Sequence, residues 1–547
     1  MNFEFSRYNL KERDAFLQRL FEILPGLVSW SVILGMLALS FLKPIIAAVI
    51  IIAFDLYWFL KLIYLTIFLV ISYGRLSIEK NTNWMERVGK VDNVDSFIAE
   101  LSSRAASSSF KEKLSLLFAR KTLEKIKRQG AVLPPSESVH HLVIIPIATE
   151  TQDIVEPGIQ SIKDSTFPSM RILIVLAVEE RASEEVKKGV YAIRDAYKKD
   201  FLDLIVNVHK DGLPGEARVK GANATSAAKV AAAYLSSNGI SFENVVVSCF
   251  DSDTVVHREY FACLTYSFIT CAERTRASFQ PIPVYYNNIW DVPGFARVLE
   301  TGSSFFQLIE ATNPEKMVTF SSHSMSFKAL VEAGYWPVDM ISDDSAIFWK
   351  SYMRFDGAYK VVPMYTTVSM DIVAAKTWWE TIVNEYKQKR RWAWGVENFP
   401  ILMRGFLKNK KISFYNKARL AFKLFEGHIA WATWAFLLTI IGWLPAIFAG
   451  RAFQHTVLYY NAPRIAGTIF NLAGFSLLIS IVLSICLLPK QKVKHPFLQR
   501  IGFAFQWLLV PVIYLFLSAI PALDAQTRLM LGKRMEFWVA EKGHKRV

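Results

Sequence analysis

The stretch VVVSCFDSD, residues 245–253, decides the fold that this sequence predicts. Its first six residues are apolar or small, which is typical of a strand buried on both faces of a sheet. Two carboxylates, Asp251 and Asp253, follow the run on alternate residues. Such a pair can share one hard cation while the cation grips a diphosphate. Alone it could equally cap a helix or form a turn, so its position at a strand end is what favours a metal site.

The residues before this strand alternate between strand and helix patterns. Short apolar runs at 141–146, 171–178 and 201–206 are separated by helical stretches such as 182–199 and 217–235. This alternation predicts a parallel sheet covered by helices. Ligands of such sheets bind beyond the carboxyl ends of the strands, so the polar residues just after each run are functional candidates.

A second acidic position, SDDS at residues 342–345, precedes a helical pattern at 346–352. One interpretation is a helix start at which carboxylates favour the helix dipole. The other is that one carboxylate acts as a general base toward an acceptor hydroxyl. Because successive side chains point in different directions, only one of Asp343 and Asp344 is expected to face a substrate.

The string QKRRW at residues 388–392 is the most specific motif in the chain. Its Gln and Trp can bind a sugar by hydrogen bonding and stacking, and an Arg can neutralise a leaving diphosphate. A basic helix near a membrane with one interfacial Trp is the alternative. The occurrence of the string after both acidic positions favours the functional interpretation.

Composition indicates a chain that is part membrane and part soluble. Of 547 residues, 52% are hydrophobic and 20% are charged. A run of about 20 apolar residues crosses a bilayer. Candidate spans lie at residues 27–42, 45–73, 430–449, 465–488 and 501–522. We therefore expect an integral protein of the cell or inner membrane, with a pair and a trio of spans around a central domain.

The net charge of +15 comes with basic residues that cluster where apolar stretches end, at 408–411, 490–500 and 542–546. This placement favours contact with membrane lipids, and no nucleic-acid partner is expected. Placing the 490–500 loop inside puts the central domain in the cytoplasm, where four cysteines without metal-ligand spacing would stay reduced. A full fifth span would leave the basic tail outside. The alternatives are that 501–522 is re-entrant or that a further span exists.

The ordered set of an acid, DxD, a further acid and QxxRW between membrane segments resembles the family 2 glycosyltransferases, particularly the cellulose, hyaluronan and chitin synthase-like branch. The match covers roughly residues 140–427. The resemblance implies an α/β GT-A type catalytic domain, a Rossmann-like mixed sheet with helices on both faces, inserted between transmembrane α-helices. It also implies a nucleotide-sugar donor, usually a UDP-sugar, Mg2+ or Mn2+ as cofactor, and inversion at the anomeric carbon.

Carried over position by position, the resemblance implies that Asp344 is the general base, that Asp253 holds the metal, and that Gln388 and Trp392 bind the acceptor. Residues 320–324, FSSHS, stand where relatives line the acceptor channel. The positions implied for donor binding are Pro146, Glu150, Glu179, Lys220, Asp251, Asp253 and Arg391. Glu179 stands where the family usually has D-D-G-S. Lys220 begins a segment similar to the family's K-A-x-N, which an ordinary helix start explains equally well.

The expected organisation follows from these motifs. It consists of an N-terminal segment with a transmembrane hairpin at 1–74, a helical membrane-proximal segment at 75–139, the GT-A glycosyltransferase domain at 140–407, an amphipathic interfacial helix at 408–429, and C-terminal transmembrane helices with a basic tail at 430–547.

The function expected first is metal-dependent, inverting transfer of a sugar to a growing polysaccharide, which some relatives also move through the membrane. One alternative is transfer of a single sugar to a membrane lipid, because ceramide glucosyltransferase-like enzymes carry similar motifs. Another is a membrane transporter whose soluble domain is regulatory and not catalytic. The acceptor is accordingly a saccharide or a glycolipid, and accessory subunits are not indicated either way.

Overall fold

The computed structural model describes residues 3–8, 10–448, 450, 454–489, 502 and 505–535, which form two compact units. The first unit comprises Met1–Ser6, Ser72–Asn287 and Glu310–Asp371, and the second comprises Arg7–Ile71, Asn288–Ile309 and Ile372–Val547. The region 140–407, expected to be one catalytic domain, is thus shared between them. Its C-terminal part, with the QKRRW string, belongs to the second unit.

An eight-stranded sheet organises the first unit. The strands are β1 His140–Ile147, β2 Ile172–Glu179, β3 Asp203–His209, β4 Val245–Cys249, β5 Val255–Val256, β6 Ala277–Val284, β7 Ser324–Ser326 and β8 Lys360–Ser369. Their order across the sheet is β3-β2-β1-β4-β7-β6-β8-β5. Strands β3, β2, β1 and β4 run parallel, and so do β6 and β8, whereas the remaining pairs are antiparallel.

The four predicted apolar runs are the four parallel strands, with boundaries shifted by at most three residues. Every residue of β2 is buried, as expected for an inner strand that is covered on both faces. The prediction of an α/β domain with a mixed sheet is confirmed. Since β1, β2, β3 and β4 are parallel, their carboxyl ends meet at one edge, and the acidic segment 251–253 follows β4 there.

The helices alternate with these strands and continue after them. They are α1 Glu12–Leu42, α2 Pro44–Glu79, α3 Trp84–Lys90, α4 Val94–Ser107, α5 Phe110–Arg128, α6 Gln152–Lys163, α7 Glu184–Tyr197, α8 Lys220–Ser237, α9 Tyr260–Ile269, α10 Gly294–Glu310, α11 Phe327–Glu332, α12 Asp343–Arg354, α13 Trp378–Ala393, α14 Asn398–Lys408, α15 Phe414–Thr439, α16 Leu444–Ile447, α17 Val457–Leu487 and α18 Gln506–Met530.

Helix α8 packs on β1, β2 and β3 through small side chains. The residues that it buries there include Gly221, Ala222, Ala224, Ala227, Ala228 and Ala231. Small residues let a helix approach a sheet closely, because little side-chain volume separates the two backbones. The first residue of this helix, Lys220, is thereby fixed at the carboxyl edge of the sheet.

The second unit contains most of the long apolar helices. Four helices are long and apolar enough to cross a membrane, namely α1, α2, the part Tyr459–Leu487 of α17, and α18. Helix α15 and the segment Ile441–Ile447 form a fifth candidate that is bent by 45°. These match the five predicted spans and indicate a membrane protein.

Helix α15 is continuous from Phe414 to Thr439. The expected boundary between an interfacial helix and a span, at residue 429, therefore lies within one helix. Helix α18 includes both prolines of the fifth predicted span and a π-helical turn at Leu515–Ala519. The basic segments 490–500 and 542–546, on which the predicted orientation depends, lie outside the described residues.

Candidate active site

The segment after β4 turns sharply and orients its two carboxylates. Thr254 N donates to Asp251 O at 2.9 Å, which closes the turn. Asp253 is 3% exposed, and its Oδ2 accepts a hydrogen bond from Asp371 N at 2.8 Å. Asn287 Nδ2 donates to the Asp253 carbonyl at 2.9 Å. The Asp253 carboxylate is thus held at the strand end by backbone from another part of the first unit.

Lys220 joins the two acidic positions that the sequence singles out. Its Nζ donates to Asp251 Oδ1 at 2.7 Å and to Asp344 Oδ1 at 3.1 Å. Burial alone would lower the pKa of Lys220, but the charges of Asp251 and Asp344 outweigh it and raise that pKa well above the usual value for lysine. The side chains of Asp251 and Asp344 are 31% and 25% exposed, so a ligand can reach this charged group.

The start of α12 places Asp343 and Asp344 differently. Asp343 is 3% exposed, whereas the Asp344 carboxylate faces Lys220. Thr319 Oγ1 donates to the Asp344 carbonyl at 2.6 Å, which fixes the first turn of the helix. Geometry therefore favours Asp344 over Asp343 as the carboxylate that a substrate would meet.

Close packing between α8 and the segment before α12 sets the distance between Lys220 and Asp344. A Cβ added to Gly221 would lie 2.4 Å from Pro337 O and 3.1 Å from Asp343 Cβ. Asn223 Nδ2 donates to Ala177 O of β2 at 2.7 Å, and Thr225 Oγ1 donates to Trp336 O at 3.1 Å. The K-A-x-N-like segment therefore serves as the start of a helix that is also bonded to the sheet.

The loop at 320–324 supports Asp251. Ser321 Oγ donates to Asp251 Oδ2, and Asp251 N donates to Ser322 Oγ at 3.3 Å. Ser322 has φ of 57°, a left-handed conformation that a non-glycine residue adopts only when its surroundings require it. The resemblance implies an acceptor role for this loop, and the structure adds contacts to the first carboxylate. The contact of Ser321 with Asp251 was not predicted, and no sequence motif marks Asp371.

His323 contributes no charge to the site. It is 1% exposed, and its Nδ1 lies 3.0 Å from Phe320 O and 3.9 Å from Asp344 Oδ1. Burial lowers the pKa of His323, and the nearby Asp344 offsets this only in part. The imidazole is therefore neutral at pH 7, with Nδ1–H donating to the Phe320 carbonyl.

The positions predicted from β1 and β2 lie at the same edge of the sheet. Pro146 is near the end of β1, and Glu150 Oε2 accepts hydrogen bonds from Ala148 N at 2.9 Å and Thr149 N at 3.0 Å. Glu179 ends β2 and pairs with Arg181, with its carboxylate 11% exposed. Both glutamates thus have structural contacts that a nucleotide-sugar donor would have to share or replace.

The family resemblance implies a divalent cation, and the side chains present fit one mode of holding it. Among the described residues, no three His, Cys, Asp or Glu side chains come together as a complete metal site. Nucleotide-bound Mg2+ is usually held by one or two carboxylates together with phosphate oxygens. The oriented carboxylate of Asp253 could hold a cation in this way, together with phosphate oxygens of a bound nucleotide.

In the second unit, the QKRRW string occupies the last turns of α13. The helix begins with a capping box in which Thr377 and Glu380 satisfy each other's backbone N–H groups. Gln388 is 7% exposed, while Arg391 and Trp392 are partly buried. Arg390 Nη1 donates to Asp524 Oδ2 of α18 at 2.9 Å. The motif is therefore anchored to a membrane helix of its own unit.

Lys389 fixes the ring of Trp392 from a buried position. Its Nζ lies 2.7 Å from Glu300 Oε1 on α10, donates to Ser303 Oγ at 3.1 Å, and sits 3.6 Å from the centre of the Trp392 ring. The lysine and glutamate side chains are 3% and 0% exposed. Fully buried Glu385 lies in this cluster, where burial and the charge of Glu300 raise its pKa well above the usual value against the opposing effect of Lys389.

A mixed α/β sheet with charged residues at its strand ends, in a chain with apolar helices, matches the arrangement that the resemblance implies, a GT-A type domain between membrane helices. The chain belongs to glycosyl transferase family group 2, whose profile matches residues 246–520. The resemblance stated from the motifs is confirmed.

Curated relatives point to the same family. A poly-beta-1,6-N-acetyl-D-glucosamine synthase from Staphylococcus epidermidis is 25% identical over 319 residues, covering 56% of this chain and 66% of that protein. The synthase of the same name from Staphylococcus aureus is 33% identical over 90 residues, covering 16% of this chain and 19% of its own. Among solved structures, the mannosyltransferase PcManGT from Pyrobaculum calidifontis in complex with GDP-Man and Mn2+ has a TM-score of 0.39 at 13% identity, with 81% of this chain and 100% of that chain covered.

Gly221→Ala tests the packing that holds Lys220 near Asp344. The new Cβ would overlap Pro337 O, so the start of α8 has to move, and overpacking of this kind costs about 1–3 kcal/mol. We expect a lower thermal unfolding midpoint in detergent solution. Gly89→Ala is the matched control, because a Cβ at that helical glycine meets nothing within 4 Å. Equal midpoints for the two variants would contradict this account of the packing.

The buried charges around Lys389 predict opposite effects for two substitutions. Folded Glu385 keeps a proton that the unfolded chain loses above pH 4.5, so the free energy of unfolding falls as pH rises beyond that value. Glu385→Gln removes this fall in the free energy of unfolding. We therefore expect the variant to have a higher unfolding midpoint than the native chain, and the difference to be larger at pH 8 than at pH 5. Lys389→Met leaves Glu300 without its cation and should cost about 3–5 kcal/mol. A lower midpoint for Glu385→Gln at pH 8 would mean that the carboxyl is ionised.

Proposed function

We propose that the protein is an inverting glycosyltransferase that moves a sugar from a nucleotide-sugar, in the first place a UDP-sugar, to a growing polysaccharide. The observation that carries the proposal is the pair of hydrogen bonds by which the Lys220 ammonium bridges Asp251 and Asp344 at the carboxyl edge of the sheet. This edge is where α/β domains bind nucleotides. Family membership supports the reaction class.

In the proposed reaction, Asp344 acts as the general base. The acceptor hydroxyl oxygen forms a bond to the anomeric carbon, and Asp344 takes the proton from that hydroxyl. The bond between the anomeric carbon and the phosphate oxygen breaks, and its electron pair leaves with the nucleoside diphosphate. The exposed side of Asp344 suits this role, because an acceptor has to reach its carboxylate.

Lys220 is proposed to change partners when the donor binds. An ammonium that hydrogen-bonds a carboxylate occupies an oxygen to which an acceptor hydroxyl would have to donate. A diphosphate carries more negative charge than one carboxylate and would compete for the Lys220 N–H groups. Donor binding would then free Asp344 to accept a proton. This exchange would make access to the Asp344 carboxylate depend on the presence of the donor, which limits the reaction to the complete complex.

The other donor positions surround the same edge in this proposal. Asp251 and the ends of β1 and β2, with Pro146, Glu150 and Glu179, would border the nucleotide. Asp253 would hold Mg2+ or Mn2+, which when bound neutralises charge on the diphosphate. Arg391 is proposed to receive the leaving diphosphate.

Gln388 and Trp392 are proposed to hold the acceptor. The indole of Trp392 is kept in one orientation by the buried Lys389, and a fixed ring is a suitable surface on which a sugar can stack. A polymer is the proposed product because the relatives are named poly-beta-1,6-N-acetyl-D-glucosamine synthases, and this chain spans 66% of the S. epidermidis protein. N-acetylglucosamine is accordingly the first donor sugar to test. Reaction on the cytoplasmic side and translocation of the product belong to the same proposal.

Asp344→Asn should remove the proton acceptor while it keeps the shape of the side chain. Loss of a general base lowers turnover by about 10²–10⁴-fold. The measurement is release of nucleoside diphosphate by purified protein supplied with UDP-N-acetylglucosamine, other UDP- and GDP-sugars, and Mg2+ or Mn2+. Asp343→Asn is the matched control, because it makes the same change one residue earlier on the buried side of α12. Unchanged turnover in Asp344→Asn would rule out the proposed base.

Product length separates the polysaccharide from a single sugar on a lipid. Reaction with a radiolabelled donor is expected to give a product that stays in the aqueous phase after chloroform extraction and grows in size with time. We expect its length to fall in Trp392→Ala, since the platform for the growing chain is lost, while donor binding is kept. A chloroform-soluble product carrying one sugar would refute the polymer and support a lipid acceptor.

A further inference from the structure

A cavity of about 280 Å³ lies within the first unit, away from the strand-end carboxylates. Side chains from the end of α2, from α3, α5 and α9, and from β8 surround it. The proposed sugar transfer assigns no role to any of them. The cavity is lined by four cationic side chains, two carboxylates and several aromatic rings.

The charges that line the cavity do not balance. Arg87 lies 3.7 Å from Glu79 and donates to Ser115 Oγ at 2.7 Å, and Lys360 lies 2.6 Å from Glu273. These two pairs account for both carboxylates. Within the described part of the chain, Arg75 and Lys125 form no ion pair, so two positive charges remain. Two uncompensated cations at one cavity attract an anion.

Arg75 is held as a rigid donor. Its guanidinium lies 4.2 Å from the centre of the Tyr365 ring and 5.1 Å from that of Phe118. The Nε of this arginine is buried, and no acceptor for it occurs among the residues that the structure describes. A buried N–H without an acceptor is costly, and a guanidinium fixed between rings presents its donors in the planar geometry that matches phosphate oxygens.

Tyr266 adds a second donor to the same cavity. Its ring is 4% exposed and packs against Trp84 at 5.5 Å between ring centres. Burial raises the pKa of Tyr266, so the hydroxyl keeps its proton. The described residues supply no hydrogen-bond partner for this hydroxyl. Three side chains thus line one space: Arg75 and Tyr266, each with a buried donor, and the second cation, Lys125.

We propose that this cavity binds a phosphate-bearing anion through Arg75, Lys125 and Tyr266. The phosphate can belong to the headgroup of an anionic phospholipid or to a soluble compound. The lipid is favoured by chain position, because Arg75 follows the apolar run of the membrane helix α2 by one turn, where headgroups begin. The site is independent of sugar transfer, so failure of either proposal leaves the other standing.

The test measures thermal unfolding of the full chain in detergent free of phospholipid. Dioleoylphosphatidylglycerol is added in one arm, with dioleoylphosphatidylcholine as its control. Inorganic phosphate is added in the other arm, with sodium chloride at the same ionic strength as its control. A ligand that binds the folded state raises the unfolding midpoint with its concentration. Stabilisation by phosphatidylglycerol alone identifies a headgroup, and stabilisation by phosphate as well identifies a soluble ligand.

The variants show whether the effect comes from this cavity. Arg75→Gln with Lys125→Gln is expected to weaken the apparent affinity for the stabilising anion at least tenfold. Lys121→Gln, which removes the same charge one turn earlier on α5 at an exposed position, should leave it unchanged. Arg75→Lys alone keeps the charge and should keep part of the effect, which guards against misfolding of the double variant. The proposal is overturned if neither anion stabilises the native chain, or if the double variant responds as the native chain does.

Discussion

One ammonium group shared by two carboxylates is the interaction on which the first unit's site depends. Lys220 brings together the end of β4, through Asp251, and the start of α12, through Asp344. Because His323 is neutral, the group formed by Lys220, Asp251 and Asp344 carries one net negative charge. In the proposed reaction, that negative charge favours a cation that arrives with the donor diphosphate. The lysine also keeps the two carboxylates from repelling each other before any ligand binds.

The part of the fold that could be predicted from sequence is the part built from long apolar runs. Strands β1, β2 and β4 were visible because each buries five to eight consecutive residues, and β3 was visible because its residues 204–206, LIV, are apolar. Strands β5 and β7 have only two and three residues, and the sequence of β7 is Ser-Met-Ser. Neither strand is long enough to show a hydrophobic pattern that would distinguish it from a loop. The antiparallel side of the sheet depends on these short pairings, which tertiary contacts select.

The site was predictable as a set of residue types but not in its contacts. The motif could not decide between Asp343 and Asp344, because neighbouring residues on a helix point about 100° apart and the helix orientation comes from packing. Gly221 resolves this choice by bringing α8 against the buried Asp343. The contacts of Ser321, Asp371 and Glu300 were missed for a related reason. Each acts through one contact distant in sequence, and an isolated Ser, Asp or Glu carries no local signal.

The alanine-lined face of α8 constrains how this domain could diversify over generations. Six of its nine buried residues are glycine or alanine, and enlarging a side chain in such close packing costs about 1–3 kcal/mol. That loss is a large share of the stability of an ordinary domain. Larger side chains are therefore tolerated more easily in the loops at the sheet edge than on the packed face of the helix that carries Lys220. The loops at the sheet edge could in this way change in sequence while the packing of α8 on the sheet is kept.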